Sequence, residues 1–196
     1  MKQVQGTAYN ISSDIVGRIT FGKVNPFSRS KHILVSKSQK KTWGYAATIC
    51  QECNAIAKNA LCIVNDISTF KEGDIVVINS DGKISFVYEI KSSHNSIMAT
   101  FRCNHRCIMC PQPPVSKEQD RTDFNLNLIS LYDKSTKEVG ITGGEPTLIG
   151  DNLFKLIKGI NKRLPGAAIS ILSNGVKFSD KSYARKLALC HHPNLQ

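Results

Sequence analysis

Hydrophobic and polar positions along the chain follow one pattern before about residue 95 and another after it. The stretch Gly73–Ile90 holds two runs rich in β-branched and aromatic residues, separated by Ser80–Lys83, and an Asp-Gly pair between such runs is typical of a hairpin turn. Upstream, the Ala-rich stretch Tyr45–Leu61 favours a helix. The polar, basic stretch Asn25–Lys41 favours a loop or an edge. Residues 1–95 are therefore predicted to form a small β-rich α+β module.

The second pattern, in residues 96–196, alternates short aliphatic runs with amphipathic stretches. This β-α-β-α-β-α order predicts an α/β fold with a parallel sheet and right-handed crossovers. In such sheets the chemistry lies at the carboxyl ends of the strands. The predicted strands are Ile97–Phe101, Val139–Thr142 and Ala168–Leu172, and the predicted helices are Leu126–Tyr132, Asn152–Leu164 and Lys181–Leu189, the last capped by Asp180.

Composition and charge narrow the class of protein. The 196-residue chain is 41% hydrophobic and 21% charged, as expected of a folded protein. The first ten residues have no apolar segment, and no aliphatic run is long enough to span a bilayer, so we expect a cytoplasmic protein with no membrane partner. The formal net charge of +11 is spread over both halves of the chain, which argues against nucleic acid as the partner.

Three of the seven cysteines have the spacing of a metal-binding loop. Cys103, Cys107 and Cys110 form C-x3-C-x2-C. A four-iron cluster usually takes four cysteines, one for each iron, so three would leave one iron open to a non-protein ligand. The spacing alone leaves two alternatives open, which are a zinc site completed by His105 and three reduced cysteines in a loop.

The cysteine spacing and a second segment together resemble the radical S-adenosylmethionine (SAM) superfamily. C-x3-C-x2-C is the signature of that superfamily, and Gly143–Pro146 stands after a predicted strand where its GGE-type motif stands. The resemblance implies that Cys103, Cys107 and Cys110 hold a [4Fe–4S] cluster whose open iron binds SAM, which makes them the predicted metal ligands and catalytic residues. It also implies that one electron from the cluster cleaves SAM, and that the resulting 5′-deoxyadenosyl radical takes a hydrogen atom from the substrate.

Further residues are predicted to bind the cofactor. The two glycines would let the backbone approach a ligand closely, and Glu145 would accept a hydrogen bond from the methionyl ammonium. Superfamily members often hold the ribose with polar residues after the third strand, and a plain Ser-Asn-Gly turn explains Ser173 and Asn174 nearly as well. Met109 stands where the superfamily commonly has an aromatic residue near the adenine, and its thioether can fill that space. The full predicted set is Met109, Gly143, Gly144, Glu145, Pro146, Ser173 and Asn174.

A narrower resemblance is to the radical SAM maturases of the His-Xaa-Ser peptide system. It is carried by Asn95–Pro114, with its MCPQPP ending, and by the preceding hairpin. The resemblance implies a precursor peptide with His-Xaa-Ser repeats as the substrate and an electron donor as a further partner. Two other classes stay open: a radical SAM enzyme acting on tRNA or another nucleic acid, and a non-catalytic, peptide-binding remnant.

The number of predicted strands is compared with the number in a full barrel of this superfamily. A barrel of this superfamily usually has six β/α units, and three can be assigned within residues 96–196. We therefore expect the N-terminal half of a partial (β/α)6 TIM-like barrel. On this interpretation the chain is a fragment, or a second chain or a partner maturase completes it.

The remaining cysteines are predicted to be structural. Without an export signal, seven cysteines argue against a disulfide framework. On a helix, Cys50 and Cys53 would share one face as core residues, and the lesser alternative is that they hold zinc or a second cluster together with Cys62. Cys190–His192 is predicted to be a loop. The basic stretch Arg29–Lys41 is predicted to be solvated, with an acidic leader peptide as its candidate partner.

Overall fold

The chain folds into two compact units, Met1–Ser92 and Ser93–Gln196. The computed structural model describes residues 2–38, 43–53, 60–110, 113–116 and 120–196. Each unit has its own sheet, of eight strands in unit 1 and of three in unit 2. The fold is therefore of the mixed α/β kind, and the α-helices of the described residues lie in unit 2.

In the eight-stranded sheet of unit 1, the two edge strands are the first two strands of the chain. The strands are β1 (Gln3–Gln5), β2 (Thr7–Tyr9), β3 (Ile15–Thr20), β4 (His32–Ser38), β5 (Ala47–Glu52), β6 (Leu61–Ile63), β7 (Ile75–Ile78) and β8 (Lys83–Tyr88). Their order in the sheet is β1-β8-β7-β3-β4-β5-β6-β2. Only Gly6 separates β1 from β2, and its N–H donates to the Gly82 carbonyl at 2.9 Å. One N-terminal segment thus pairs with both ends of the sheet.

The predicted hairpin is confirmed, whereas two other predictions for unit 1 are wrong. β7 and β8 pair antiparallel around the expected Asp-Gly turn. The predicted loop Asn25–Lys41 instead contains a 3-10 helix, Pro26–Lys31, and the central strand β4, and its residues 39–41 lie outside the described residues. Four consecutive residues of β4 are buried, as is usual for a parallel strand covered on both faces, and the flanking lysines had concealed this run.

The predicted helix over Tyr45–Leu61 begins instead as a strand, β5, which pairs parallel with β4. Its first four residues are buried, and a short, fully buried strand cannot be told from a buried helix by pattern alone. Residues 54–59 lie outside the described residues. Cys50 and Cys53 form a disulfide rather than sharing a helix face as free thiols, and Cys62 is free and buried in β6.

Unit 2 alternates strands and helices as the sequence predicts. Its elements are β9 (Asn95–Thr100), α1 (Thr122–Leu131), β10 (Glu138–Gly143), α2 (Asp151–Arg163), β11 (Ala168–Ile171) and α3 (Lys181–Ala188), with short 3-10 helices at Pro146–Ile149 and Val176–Ser179. The strand order is β11-β10-β9, and both pairings are parallel. All three predicted strands and helices are confirmed to within a few residues.

The core of unit 2 lies between this sheet and helices α1 and α2. The apolar residues of α2 recur at helical spacing and are buried, so that one face of the helix is removed from water. Asn125 of α1 is fully buried and donates to the Met98 carbonyl of β9 at 3.0 Å. Asp180 caps α3 by accepting from the Ser182 and Tyr183 amides, as predicted.

The last residues of the chain extend the sheet of unit 2 beyond β11. The Ile169 amide donates to the Asn194 carbonyl at 2.9 Å, and the Ile171 and Gln196 backbones continue the ladder. The pairing of Ile169 with Leu195 is parallel. A fourth strand position, next to β11, is therefore occupied. Within the described residues, no helix is both long enough and apolar enough to cross a membrane.

Candidate functional site

Three loops meet at the carboxyl ends of β9, β10 and β11. They enclose an open cavity of about 320 Å³ in unit 2. The cavity wall includes all three cysteines of the predicted metal loop and five of the seven residues predicted to bind the cofactor. The residues that line it are Cys103, His105, Cys107, Cys110, Pro114, Thr142, Gly143, Gly144, Glu145, Leu172, Ser173 and Asn174.

The cysteine loop, defined as Cys103–Cys110, presents its thiols at this cavity. All three thiols are free; Cys103 is half-buried, and Cys107 and Cys110 are exposed. The His105 amide donates to Cys103 Sγ at 3.4 Å, and the Cys110 amide donates to the Cys107 carbonyl at 3.0 Å, which makes a tight turn. Across the described ranges, no three His, Cys, Asp or Glu side chains converge closely enough to hold a single metal ion. A four-iron cluster sets a different requirement, because each cysteine binds a different iron.

The two glycines of the GGE-type segment pack against the chain that leads into the cysteine loop. Gly143 has φ of 150°, and a Cβ on it would collide with the Thr100 carbonyl. A Cβ on Gly144 would collide with the Arg102 carbonyl. The Gly144 and Glu145 amides donate to those same carbonyls, each at 2.8 Å. The glycines therefore allow a close backbone approach to the chain that leads into the cysteine loop, whereas their predicted approach to a ligand stays a prediction.

Glu145 lies at the centre of the site and is 1% exposed. Its Oε1 accepts hydrogen bonds from the Thr147 amide at 3.0 Å, the Thr147 hydroxyl at 2.6 Å and the Ser173 hydroxyl at 2.8 Å. Its Oε2 accepts one from the Asn174 amide at 2.7 Å. The carboxylate thus joins the loop after β10 to the loop after β11. The predicted contact with a methionyl ammonium stays a prediction beside this structural role.

The same hydrogen bonds decide the charge of Glu145. Burial by itself raises the pKa of this carboxyl, but the bonds from Thr147, the Asn174 amide and Ser173 outweigh that effect and hold its pKa below the ordinary value. Glu145 is therefore a buried carboxylate whose negative charge is balanced by donors that the fold positions.

Sequence reasoning missed two residues in the cysteine loop. Asn174 Nδ2 donates to Asn104 Oδ1 at 2.8 Å and lies 3.0 Å from His105 Nδ1. Asn174 Oδ1 accepts from the Val176 amide at 3.1 Å. The sequence left His105 as an exposed loop residue, a residue near the cluster or a zinc ligand, and Asn104 carried no prediction. Contact across 70 residues of sequence leaves no local signal.

Two predicted cofactor-binding residues lie outside the cavity wall. Met109 is 89% exposed on the cysteine loop. Pro146 is buried as the first residue of a 3-10 helix, where a fixed φ and a missing N–H are both tolerated. Of the residues that do line the wall, Thr142 and Leu172 carried no motif that would have identified them, and Pro114 ends the MCPQPP segment without having been predicted as a site residue.

A larger cavity of about 650 Å³ lies at the amino ends of the strands, and its wall is basic. The loops before β10 and β11 form it, and Lys134, Lys137, Lys162 and Arg163 contribute its charge. The Ser135 hydroxyl beside it is already bonded to Asp133. No cysteine belongs to this wall among the described residues, so size alone does not identify the reactive site.

The donor set of the smaller cavity fits an iron–sulfur cluster with one open iron. It offers three free thiols from one loop, and each lines the same cavity at the carboxyl ends of parallel strands. The neighbouring walls supply polar side chains for a second, organic ligand, with Ser173 and Asn174 among them. The residues of this chain are therefore suited to hold both groups.

These features define a class of protein, and comparison with known families agrees. Residues 97–194, half of the chain, match the family model described as Radical SAM superfamily. The chain belongs to the radical SAM superfamily. The match covers most of β9, the cysteine loop, the GGE-type segment, and strands β10 and β11.

Curated relatives match about half of the chain. A GTP 3′,8-cyclase of Desulforamulus reducens is 30% identical over 107 residues, which cover 52% of this chain and 33% of the relative. A GTP 3′,8-cyclase of Clostridium perfringens strain 13 is 34% identical over 97 residues, which cover 43% of this chain and 28% of the relative. The matched part thus spans about a third of the length of these relatives. No solved structure matches the chain.

Proposed function

We propose that this chain is a radical SAM enzyme in which Cys103, Cys107 and Cys110 hold a [4Fe–4S] cluster. The observation that carries the proposal is the meeting of three free thiols and the Gly143–Glu145 segment around one cavity. When bound, the cluster and SAM supply a one-electron cleavage that yields a carbon radical able to remove hydrogen from a substrate. Cluster binding requires these three cysteines in the reduced form, and a cytoplasmic location is proposed on that ground, beside the disulfide that Cys50 and Cys53 form in unit 1.

The protein's own residues position these groups. In this proposal the cysteine loop supplies the metal ligands, and the organic cofactor binds in the same cavity, which Ser173 and Asn174 also line. Glu145 fixes the two loops relative to each other through its four hydrogen bonds. Such pre-organisation lets bound groups react without rearrangement of the site.

We further propose that unit 2 is the first part of a partial (β/α)6 barrel. Its parallel strands are joined by helices in chain order, and the Asn194–Gln196 backbone occupies the next strand position beside β11. A continuing barrel would place further strands on that side, in the same chain or in a partner maturase. An electron donor is a further proposed partner.

The proposed substrate is a precursor peptide that carries His-Xaa-Ser repeats. The proposal rests on the resemblance of Asn95–Pro114 and the preceding hairpin to maturases of that peptide system. The curated relatives favour a second candidate, because they are named GTP 3′,8-cyclases, and GTP is therefore tested beside the peptide. The two candidates use the same cofactor chemistry and differ in the substrate hydrogen that is removed.

The test measures SAM cleavage in the anaerobically reconstituted, reduced protein. Three samples contain a deuterated His-Xaa-Ser peptide, deuterated GTP or neither, and 5′-deoxyadenosine is analysed by mass spectrometry. Deuterium transferred from the peptide supports the proposed substrate, whereas deuterium from GTP supports the second candidate. A tRNA sample tests the nucleic-acid alternative. Absence of 5′-deoxyadenosine from every sample would contradict the radical enzyme and favour a non-catalytic protein.

A further inference from the structure

The interior of the cysteine loop is tied to the loop that follows β11. Asn174 Nδ2 reaches Asn104 Oδ1 at 2.8 Å and His105 Nδ1 at 3.0 Å. Both partners lie between Cys103 and Cys107. Asn104 Oδ1 is an acceptor, and His105 Nδ1 is a second acceptor in the tautomer that carries its hydrogen on Nε2; in the other tautomer His105 Nδ1 donates to Asn104 Oδ1, 3.1 Å away. In both tautomers the Asn174 amide group is bonded to the part of the loop between two thiols. We call Asn104, His105 and Asn174 the latch.

The Asn174 side chain is itself held in one orientation. Its Oδ1 accepts from the Val176 amide at 3.1 Å, which directs the NH2 group towards the cysteine loop. Its backbone amide donates to Glu145 Oε2 at 2.7 Å. Because Glu145 also begins the turn after β10, the latch connects the cysteine loop to the ends of two neighbouring strands.

The position of the latch matters because the loop is otherwise open to water. Cys107, Cys110 and the residues between them are exposed, with Ile108 and Met109 projecting from the loop. An exposed loop gains little from burial and depends on hydrogen bonds for a defined conformation. Assembly of a cluster requires three thiols to be held at one place at the same time, and loss of loop entropy opposes this.

We propose that Asn174 is a positioning residue that holds the cysteine loop in its ligand-presenting conformation before the cluster arrives. This inference rests on the proposed function for the identity of the cluster, while the latch itself is a property of the metal-free chain. It assigns Asn174 a task towards Asn104 and His105 that is distinct from the ribose contact implied by resemblance.

The first test measures amide hydrogen exchange at residues 106–110, which are the same in every variant, in the reduced, metal-free chain. Asn174→Ala and the double variant Asn104→Ala with His105→Ala should each raise exchange about fivefold, as expected for loss of one or two exposed hydrogen bonds. Combining all three changes should add nothing further, because both routes remove the same link. Asn104→Asp keeps an acceptor for Asn174 and should exchange like the wild type.

The control is Asn152→Ala, which removes a similar exposed side-chain bond, from Asn152 Nδ2 to Asp120 Oδ2, elsewhere in unit 2. It should leave exchange at residues 106–110 unchanged. Equal exchange in the wild type and Asn174→Ala, or an equal rise in Asn152→Ala, would overturn the latch.

The second test follows iron incorporation at limiting iron and sulfide. The latch variants should assemble the cluster about fivefold more slowly than the wild type but reach the same final iron content, because the ligands themselves are intact. Assembly at the wild-type rate would overturn the positioning role. Failure of the wild type to bind iron would instead contradict the proposed function, and exchange in the metal-free chain would still decide the latch.

Discussion

Glu145 shows how one buried side chain can organise a site. Its carboxylate accepts four hydrogen bonds from three residues on two loops, and it is almost completely removed from water. Hydrogen bonds to a charged acceptor stabilise the fold more than bonds between neutral groups. When one partner is removed in a buried place, the unpaired group that remains lowers the free energy of unfolding. The geometry of the strand ends therefore depends on this one charge.

Replacing Glu145 with Gln tests that dependence while keeping the shape of the side chain. The NH2 group of the glutamine would face the N–H and O–H groups that now donate to the carboxylate. We therefore expect the free energy of unfolding to fall by about 1–3 kcal/mol. Urea denaturation measures the change. Glu138→Gln is the control, because Glu138 is a half-buried residue of the preceding strand β10 that accepts one bond from Ser170 and pairs with the exposed His94; its loss should stay below about 1 kcal/mol. Equal stability of Glu145→Gln and the wild type would contradict the role assigned to the charge.

The lowered pKa of Glu145 adds a pH dependence of known sign. A carboxyl whose folded pKa lies below its unfolded value, about 4.3 for Glu, stabilises the fold above that pH and loses the contribution as pH falls through the folded pKa. The stability gap between the wild type and Glu145→Gln should therefore be full at pH 7 and shrink below about pH 4. Urea midpoints of both proteins between pH 7 and pH 3 measure it, and a constant gap would argue against the depressed pKa.

At the scale of elements, the turn after β10 and the entry to the cysteine loop form one packed unit. Gly143 pairs with Thr100 at an irregularity in the β9–β10 register. The Gly144 and Glu145 amides continue the contact by donating to carbonyls of the adjoining chain. The glycines are needed here because any side chain would occupy the space of that backbone.

Gly143→Ala and Gly144→Ala should each destabilise unit 2 by about 1–3 kcal/mol, since a Cβ forces the two segments apart and Gly143 has a positive φ. Gly166→Ala is the control, because nothing lies within 4 Å of a Cβ at that exposed site. It should change stability by less than about 0.5 kcal/mol. Thermal unfolding of the three variants measures the difference, and an equal effect at Gly143 and Gly166 would show that the close approach is not required.

How much of each element could be predicted depended on its surroundings. Helix α2 has one buried and one solvated face, so its pattern shows directly in the sequence. Strands β4 and β5 are buried on both faces and carry short apolar runs, so they were taken for a loop and a helix. The disulfide between Cys50 and Cys53 depends on the strand that was missed, and it could not be predicted without it.

At the scale of the molecule, the sequence motifs identified most residues of the site but not the hydrogen bonds that join its loops. Each motif follows a predicted strand, and the carboxyl ends of parallel strands lie side by side, so the motifs were expected to lie close together. In the structure they line one cavity, formed by Cys103, Cys107 and Cys110 with Gly143–Glu145 and Ser173–Asn174. The four hydrogen bonds to Glu145 and those of the latch join loops that are far apart in sequence. They depend on where each side chain points in the folded protein, and no local sequence pattern encodes that. The substrate depends on parts of the fold beyond these motifs, and for that reason it stays a proposal.

The central claim is that the cysteine loop of unit 2 binds a [4Fe–4S] cluster, and iron content after anaerobic reconstitution tests it most directly. We predict about four iron and four sulfide per chain, with a paramagnetic signal after one-electron reduction. The same yield is expected from a control variant with Cys50 and Cys53 changed to Ala, because those residues form a disulfide in unit 1. Changing Cys103, Cys107 and Cys110 together to Ala should abolish iron binding. Retention of the cluster by that triple variant, or its loss in the Cys50 and Cys53 control, would contradict the account.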